Sequence, residues 1–315
     1  MISIFTPTYN RLQKLKLAHQ SLLKQTCFDF EWIIVDDGSN DQTSNWVQEI
    51  TNTSPFKISY EYKENGGKHS TFQYAGKLSN CEYVLQLDSD DTLTSNAVFL
   101  VTEKIKELHT NPFFQNVVEL RFLCIDSKTN QVHGNIKTLD ETLINQPITW
   151  HEIVLKNGIN NEFVNCIKTA VLVEVTKGLE TVWMKDKIKL ISEMVFWARV
   201  GRKYQTLIVN EAIRIYNSDS ADGYINSTKQ KNWYFNELVS NQLFLDENFN
   251  YLHYNFKYFI NIVIKNMVMI FMLKISIFKI LHITTNAKLK FGYLTLLPLG
   301  FILNLYFKHY KKKYW

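Results

Sequence analysis

The run Glu82-Tyr83-Val84-Leu85-Gln86-Leu87 is apolar enough for a buried strand, and it closes in Asp88-Ser89-Asp90-Asp91, three carboxylates within four residues. Carboxylates that close together repel one another unless a cation or solvent lies between them. A strand that stops in such a cluster presents hard oxygen ligands at the carboxyl edge of a sheet, which is where open α/β folds bind ligands. A solvated acidic turn has the same composition, so the segments upstream must decide between the two.

Those segments repeat one design. Residues 2–6 read as a strand followed by the turn Pro7-Thr8-Tyr9-Asn10, and Leu12, Leu15, Ala18 and Leu22 predict a helix over 11–25. Glu31-Trp32-Ile33-Ile34-Val35 is a second strand ending in Asp36-Asp37-Gly38-Ser39. There Ser39 and Gln42 have the spacing of a capping box, ahead of a helix that buries Trp46, Val47 and Ile50. Ile58, Tyr60 and Tyr62 alternate as a third strand, and Asn65-Gly66-Gly67-Lys68-His69 leads into a helix packing Phe72 and Ala75. Four strand-then-helix units require crossovers on the sheet faces, so a parallel, doubly wound sheet is expected. Its polar strand ends should then share one edge.

Farther on, residues 97–108 read as a helix, Val117–Ile125 as a strand and Asp126–Gln131 as a polar turn. The pattern from Thr149 to Val175 is mixed. Ser192 to Tyr204 reads as a helix with Glu193 near its start, followed by a strand over 206–216 and a polar loop over 217–223. In the last quarter His253, Lys257, Asn261 and Lys265 form a polar stripe on an otherwise apolar helix. Phe291–Phe307 is a 17-residue stretch without a charged side chain, short for a membrane span and interrupted by Pro298 and Gly300.

Composition sets the bounds. A chain of 315 residues with 46% hydrophobic and 21% charged content suits one large α/β core with an appendage. Cys27, Cys81, Cys124 and Cys166 are scattered without zinc-type spacing and read as reduced thiols of a cytoplasmic chain. Met1–Thr6 resembles a first strand and not a signal peptide, so no leader is expected. The net charge of +5 hides an asymmetry: residues 248–315 hold ten lysines and no acid, which leaves 25 basic against 30 acidic groups before them. A basic, aromatic tail suits an anionic surface. Because it is also rich in Ile, Leu, Met and Phe, it points to a membrane interface and away from nucleic acid, with Lys311-Lys312-Lys313 beside Tyr310, Tyr314 and Trp315 as an anchor. A helical subdomain packed on the catalytic body, or an oligomer interface, is the alternative.

Taken together, Phe5-Thr6-Pro7-Thr8-Tyr9-Asn10-Arg11, Val35-Asp36-Asp37-Gly38-Ser39-Asn40-Asp41, Asn65-Gly66-Gly67-Lys68-His69 and Leu87-Asp88-Ser89-Asp90-Asp91 resemble, in order and spacing, the family 2 glycosyltransferases of the GT-A fold. The resemblance is strong over residues 1–100 and extends to about residue 220. It implies an α/β fold with a mostly parallel, Rossmann-like sheet flanked by helices. Residues 1–225 would form that domain, with a nucleotide-binding half over 1–110 and an acceptor half over 111–225. A helical, membrane-associating extension would occupy 226–315.

The resemblance also implies a chemistry: an inverting hexosyl- or N-acetylhexosaminyltransferase using a UDP sugar with Mn²⁺ or Mg²⁺. Its acceptor would be a lipid-linked or growing glycan of a surface polysaccharide such as a capsule, on the inner face of the cell membrane. By motif, Tyr9 lies against the base, Asp37 accepts a hydrogen bond from it and Pro7 shapes the pocket. Lys68 sits near the base or diphosphate, Asp88 meets the ribose with Ser89 in the same nucleotide-sugar site, and Asp90 is the metal ligand with Asp91 supporting it. Such an ion needs only one or two protein carboxylates, since phosphates and water complete its shell. Inversion needs a base on the acceptor side. The segment Ile191-Ser192-Glu193-Met194 offers Glu193 for it, although Met194 stands where a second acid is often found. A silent nucleotide-sugar-binding protein and a soluble transferase are the rival readings. Trp150, His151 and Trp183 are either acceptor contacts or core, and His69 is expected to be structural.

Overall fold

The computed structural model describes residues 1–134, 142–159, 161–179, 188–217 and 231–310. By its internal contacts the chain divides into two units, Met1–Lys189 with Val200–Ser220, and Leu190–Arg199 with Ala221–Trp315. The sequence expectation of 1–225 and 226–315 differs from this in one respect of consequence: the segment carrying Glu193 groups with the C-terminal helices.

The first unit is built on strands β1 (Ile2–Thr8), β2 (Phe30–Asp36), β3 (Lys57–Tyr62) and β4 (Tyr83–Gln86). They pair in parallel in the order β3-β2-β1-β4. Helices α1 (Leu12–Leu23), α2 (Thr43–Thr51) and α3 (Lys68–Leu78) make the crossovers that parallel pairing demands. All residues of β1 and β2 are buried, which is why they read as continuous apolar runs.

The rest of the sheet is mixed. Strand β5 (Thr92–Leu93) precedes helix α4 (Ala97–Thr110), and β6 (Val117–Asp126), β7 (Pro147–Ile148), β8 (Phe163–Lys168), α5 (Thr169–Thr176) and β9 (Gln205–Tyr216) complete the unit. Strand β8 is antiparallel to both β4 and β6, β6 and β9 are parallel, and β5 and β7 run antiparallel to β9. Six strands therefore share the direction of β1, and β5, β7 and β8 oppose it. The mostly parallel expectation holds for strand direction.

One core packs the inner faces of α1, α2 and α4 on the sheet, with Leu15, Ala18, Leu22, Val47, Val98 and Val101 against Ile4, Trp32, Leu85 and Phe122. Each such side chain contributes about 1.5–3 kcal/mol by leaving water. The capping box expected at Ser39 and Gln42 does not form. Asp41 caps α2 instead, accepting from the Thr43 amide at 3.1 Å and hydroxyl at 2.6 Å. The Ser39 hydroxyl accepts from the amide of Asn10, a turn residue held at φ 50°.

The second unit contains α6 (Glu193–Gly201) up to Arg199, then α7 (Lys231–Asn248), α8 (Phe256–Leu273), α9 (Ile277–Ile283) and α10 (Ala287–Tyr310). Buried amides link them. Asn241 donates to Asn266, Asn266 to the Tyr293 hydroxyl, that hydroxyl to Gln242, and Gln242 to Thr284, at 2.5–3.0 Å. Every member of the chain is hydrogen-bonded, so burial of these polar groups is compensated.

Candidate active site

Parallel register brings the polar strand ends to one level. Thr8 of β1 lies opposite Asp36 of β2, which lies opposite Tyr62 of β3, and Gln86 of β4 lies opposite Phe5. The expectation that these ends line one sheet edge is met.

The side chain of Asp37 accepts three hydrogen bonds within its own chain, two on Oδ1 and one on Oδ2. Its carboxylate accepts from the amides of Gly66 (2.8 Å) and Gly67 (2.7 Å) and from Lys63 Nζ (2.5 Å). The carboxylate thereby pins the glycine turn before α3. Gly67 has φ +88°, and a Cβ there would lie 1.8 Å from the carbonyl oxygen of Lys189, so only glycine fits. Pro7 is buried within β1, whereas Tyr9 is half exposed above the edge.

Asp88, Asp90 and Asp91 place carboxylate oxygens within 4.8 Å of one another. Each has its own cation. Lys68 Nζ donates to Asp88 at 2.8 Å, Arg11 Nη1 to Asp90 at 3.0 Å, and Arg214 Nη1 lies 3.2 Å from Asp91 Oδ2. The three partners differ in freedom: the side chains of Lys68 and Arg11 are 36% and 24% exposed, and that of Arg214 is 2% exposed. Arg214 also donates to Glu162 at 2.7 Å. Asn217 completes the frame, its amide donating to Asp91 Oδ1 and its side chain to the carbonyl of Asp90. Ser89 is buried between the acids.

The electrostatics separate the acids. Burial works to raise the Asp88 carboxyl, but Lys68 and Arg214 outweigh it and hold it down at about 2. Burial pushes Asp91 up to about 7, with the charges of Asp88 and Asp90 adding to the rise and Arg214 opposing it. The cluster therefore pairs a strongly acidic carboxylate with one that holds a proton near neutrality. An all-oxygen donor set of this kind fits a hard divalent cation, with Asp88 and Asp90 as the accessible members and Asp91 fixed beneath Arg214.

The strand-end motifs led to Pro7, Tyr9, Asp37, Lys68, Asp88, Ser89, Asp90 and Asp91, and the fold gathers them at one edge. Arg214 and Asn217 were not recognised. Strand β5 places Leu93 opposite Arg214 on β9, which carries the guanidinium to Asp91. The available signal was an arginine between two isoleucines, Ile213 and Ile215, near the end of a strand, since a buried cation demands a buried anion.

Glu193 opens α6, as expected, and belongs to the second unit. Met194 next to it accepts a hydrogen bond from the Tyr258 hydroxyl at 3.2 Å. Trp150 and His151 are buried, so they are core and not exposed acceptor contacts. Trp183 lies outside the described residues. His69 is buried, and burial pushes its imidazole down to about 3, with Lys63 adding to the effect. Asn217 directly follows Arg214-Ile215-Tyr216.

A wound α/β sheet with an acidic cluster at the carboxyl ends of its strands has that cluster where open α/β folds bind ligands. Residues 3–122 match Glycosyl transferase family 2. The poly(ribitol-phosphate) beta-N-acetylglucosaminyltransferase TarP of Staphylococcus aureus is 39% identical over 102 residues, covering 31% of this chain and 30% of TarP. Chondroitin synthase of Escherichia coli is 35% identical over 107 residues, covering 34% of this chain and 16% of the synthase. The chain thus spans less than a third of the length of these curated relatives. S. aureus TarS 1-349 in complex with UDP shares the fold with a TM-score of 0.55 at 18% identity, over 96% of this chain and 88% of that one. The mannosyltransferase PcManGT of Pyrobaculum calidifontis, in complex with GDP-Man and Mn²⁺, superposes with a TM-score of 0.53 at 13% identity, over 99% and 88% of the two chains.

Proposed function

We propose that the protein transfers a sugar from UDP to a hydroxyl of a lipid-linked or growing glycan, with inversion at the anomeric carbon, at the inner face of the cell membrane. The observation that carries this reading is the group of three carboxylates within 4.8 Å at the carboxyl edge of the parallel strands, inside the segment that matches the family.

In this reading Tyr9 stacks on the base, Asp37 accepts from it and Pro7 shapes the pocket wall. Asp88 and Ser89 hold the ribose. Asp90, with Asp91 behind it, holds Mn²⁺ or Mg²⁺, which when bound neutralises charge developing on the diphosphate leaving group. Arg11 and Lys68 each restrain one carboxylate while staying partly exposed, so both can turn to the diphosphate once that charge is balanced otherwise. Glu193 is assigned the proton of the acceptor hydroxyl.

Thermal shift with a panel of nucleotide sugars tests the donor half. UDP and one UDP sugar should raise the melting temperature in the presence of Mn²⁺, and Asp90→Ala should abolish the shift and sharply lower turnover. A melting temperature indifferent to every nucleotide sugar, with Asp90→Ala as active as the wild type, would sink the reading. A silent nucleotide-sugar-binding protein is the second reading, favoured by Met194, which packs with Tyr258 where a second acid is often found. Turnover that disappears in Glu193→Gln while UDP binding persists excludes it.

A further inference from the structure

The last long helix of the second unit is apolar on both sides. Its inward face buries Leu289, Tyr293, Gly300 and Asn304, and Gly300 sits so near α8 that a Cβ would lie 2.4 Å from that of Met267. Its outward face carries Phe291, Leu294, Phe301, Ile302 and Leu305, at the three- and four-residue spacing of one helical side, and these are 48–68% exposed. Phe278 of α9 is 76% exposed. A helix in water ordinarily turns a polar side outward, and a contiguous apolar side marks a surface awaiting a partner.

The charge around this face has one sign. Lys274, Lys279 and Lys288 are exposed beside it, and residues 248–315 contain no Asp or Glu. The acids of α7 are engaged within the unit: Glu237 with Lys265, Glu247 with Arg199, and Asp246 with Thr285 and Asn286 at the start of α10. An apolar stripe bordered by uncompensated lysines matches the boundary between acyl chains and anionic head groups. A second copy of the same face would instead bring lysine against lysine.

Helix α8, with a mean hydropathy of 1.6 over Phe256–Leu273, is long and apolar enough to cross a membrane. One side of it is nevertheless occupied by its neighbours, with Asn266 in the buried amide chain and Phe259, Val263, Met267 and Ile270 buried inside the unit. We infer that the outward side of α10, with Phe278, is a peripheral docking surface for a bilayer bearing anionic lipids. The face lies flat in the interface and does not span it. This gives the proposed membrane location a specific surface, and it stands whether or not the nucleotide-sugar reading holds.

Flotation of the full-length protein with phosphatidylglycerol/phosphatidylcholine vesicles, against phosphatidylcholine alone, tests it. The wild type should float with the anionic vesicles and roughly tenfold less with neutral ones or at high salt. Phe291→Glu/Ile302→Glu should remove flotation, and Lys279→Glu/Lys288→Glu should weaken it, while UDP-induced stabilisation persists in both if the donor site is as proposed. Should the first variant lack a cooperative melt, the lysine variant decides. Wild-type protein left at the bottom of the gradient, or flotation unchanged in the deciding variant, overturns the inference. So does a self-association in buffer that Phe291→Glu/Ile302→Glu abolishes while vesicles capture nothing.

Discussion

The two units depart from ordinary protein economy in opposite ways. The sheet edge of the first gathers charge where a fold usually excludes it, and each acid of Asp88, Asp90 and Asp91 is matched by a cation from another element. The helical unit links buried amides and hydroxyls into one hydrogen-bonded chain and leaves apolar side chains outside. Concentrated charge signals a polyvalent ligand, and displayed hydrocarbon signals a surface. Within the first unit the same contrast recurs on a smaller scale: Asp91 is locked under a buried arginine, whereas Asp90 is held by one that can swing away.

The sharpest break of that contrast is Arg214→Leu, which leaves Asp91 buried without its cation. It should cost about 3–5 kcal/mol in urea unfolding, whereas Arg11→Ala, at a partly exposed pair, should cost about 1 kcal/mol or less. Equal losses would mean that the two pairs are equivalent. In turnover the order should reverse at the acids, with Asp90→Ala lowering kcat by roughly 10²–10³-fold in a protein that melts as the wild type does.

A third test concerns protons. His69 titrates at about 3 in the fold against an ordinary 6.5, so between those values the unfolded chain binds more protons. Its contribution is therefore present above 6.5 and lost as pH falls toward 3. Asp91, raised to about 7 from 3.8, has the opposite sign over most of the same window, its contribution being lost as pH rises. Comparing the wild type with His69→Gln isolates the first term: the stability difference between them should grow by about 1.4 kcal/mol per pH unit from pH 4 to 6. A flat difference would place the imidazole in a more polar setting. The smallest effect belongs to the outer face of α10, where Ile302→Glu should move stability by no more than about 0.5 kcal/mol. A larger loss would show that this face is covered.

Much of the first unit was legible because its signals are local. The helix expected over 11–25 spans Leu12–Leu23, and the strands expected at 31–35 and 117–125 span Phe30–Asp36 and Val117–Asp126. Where periodicity fails, reading failed. Strand β8 is buried almost throughout and passes into α5 without a turn residue, and β5 and β7 have two residues each. Helix α7 carries no apolar stripe, and so gave no signal.

What the sequence determined by itself was the alternation of strand and helix through β4 and the presence of acids where those strands end. Both follow from residue spacing, which depends only on neighbours along the chain. Tertiary structure decided which cation meets which acid. The antiparallel seating of β5 on β9 carries Arg214 to Asp91 across more than a hundred residues, and the segment carrying Glu193 falls in the same compact unit as the C-terminal helices. It also decided which side of α10 faces out, because a helix apolar all round has no preferred side until Met267 packs against Gly300.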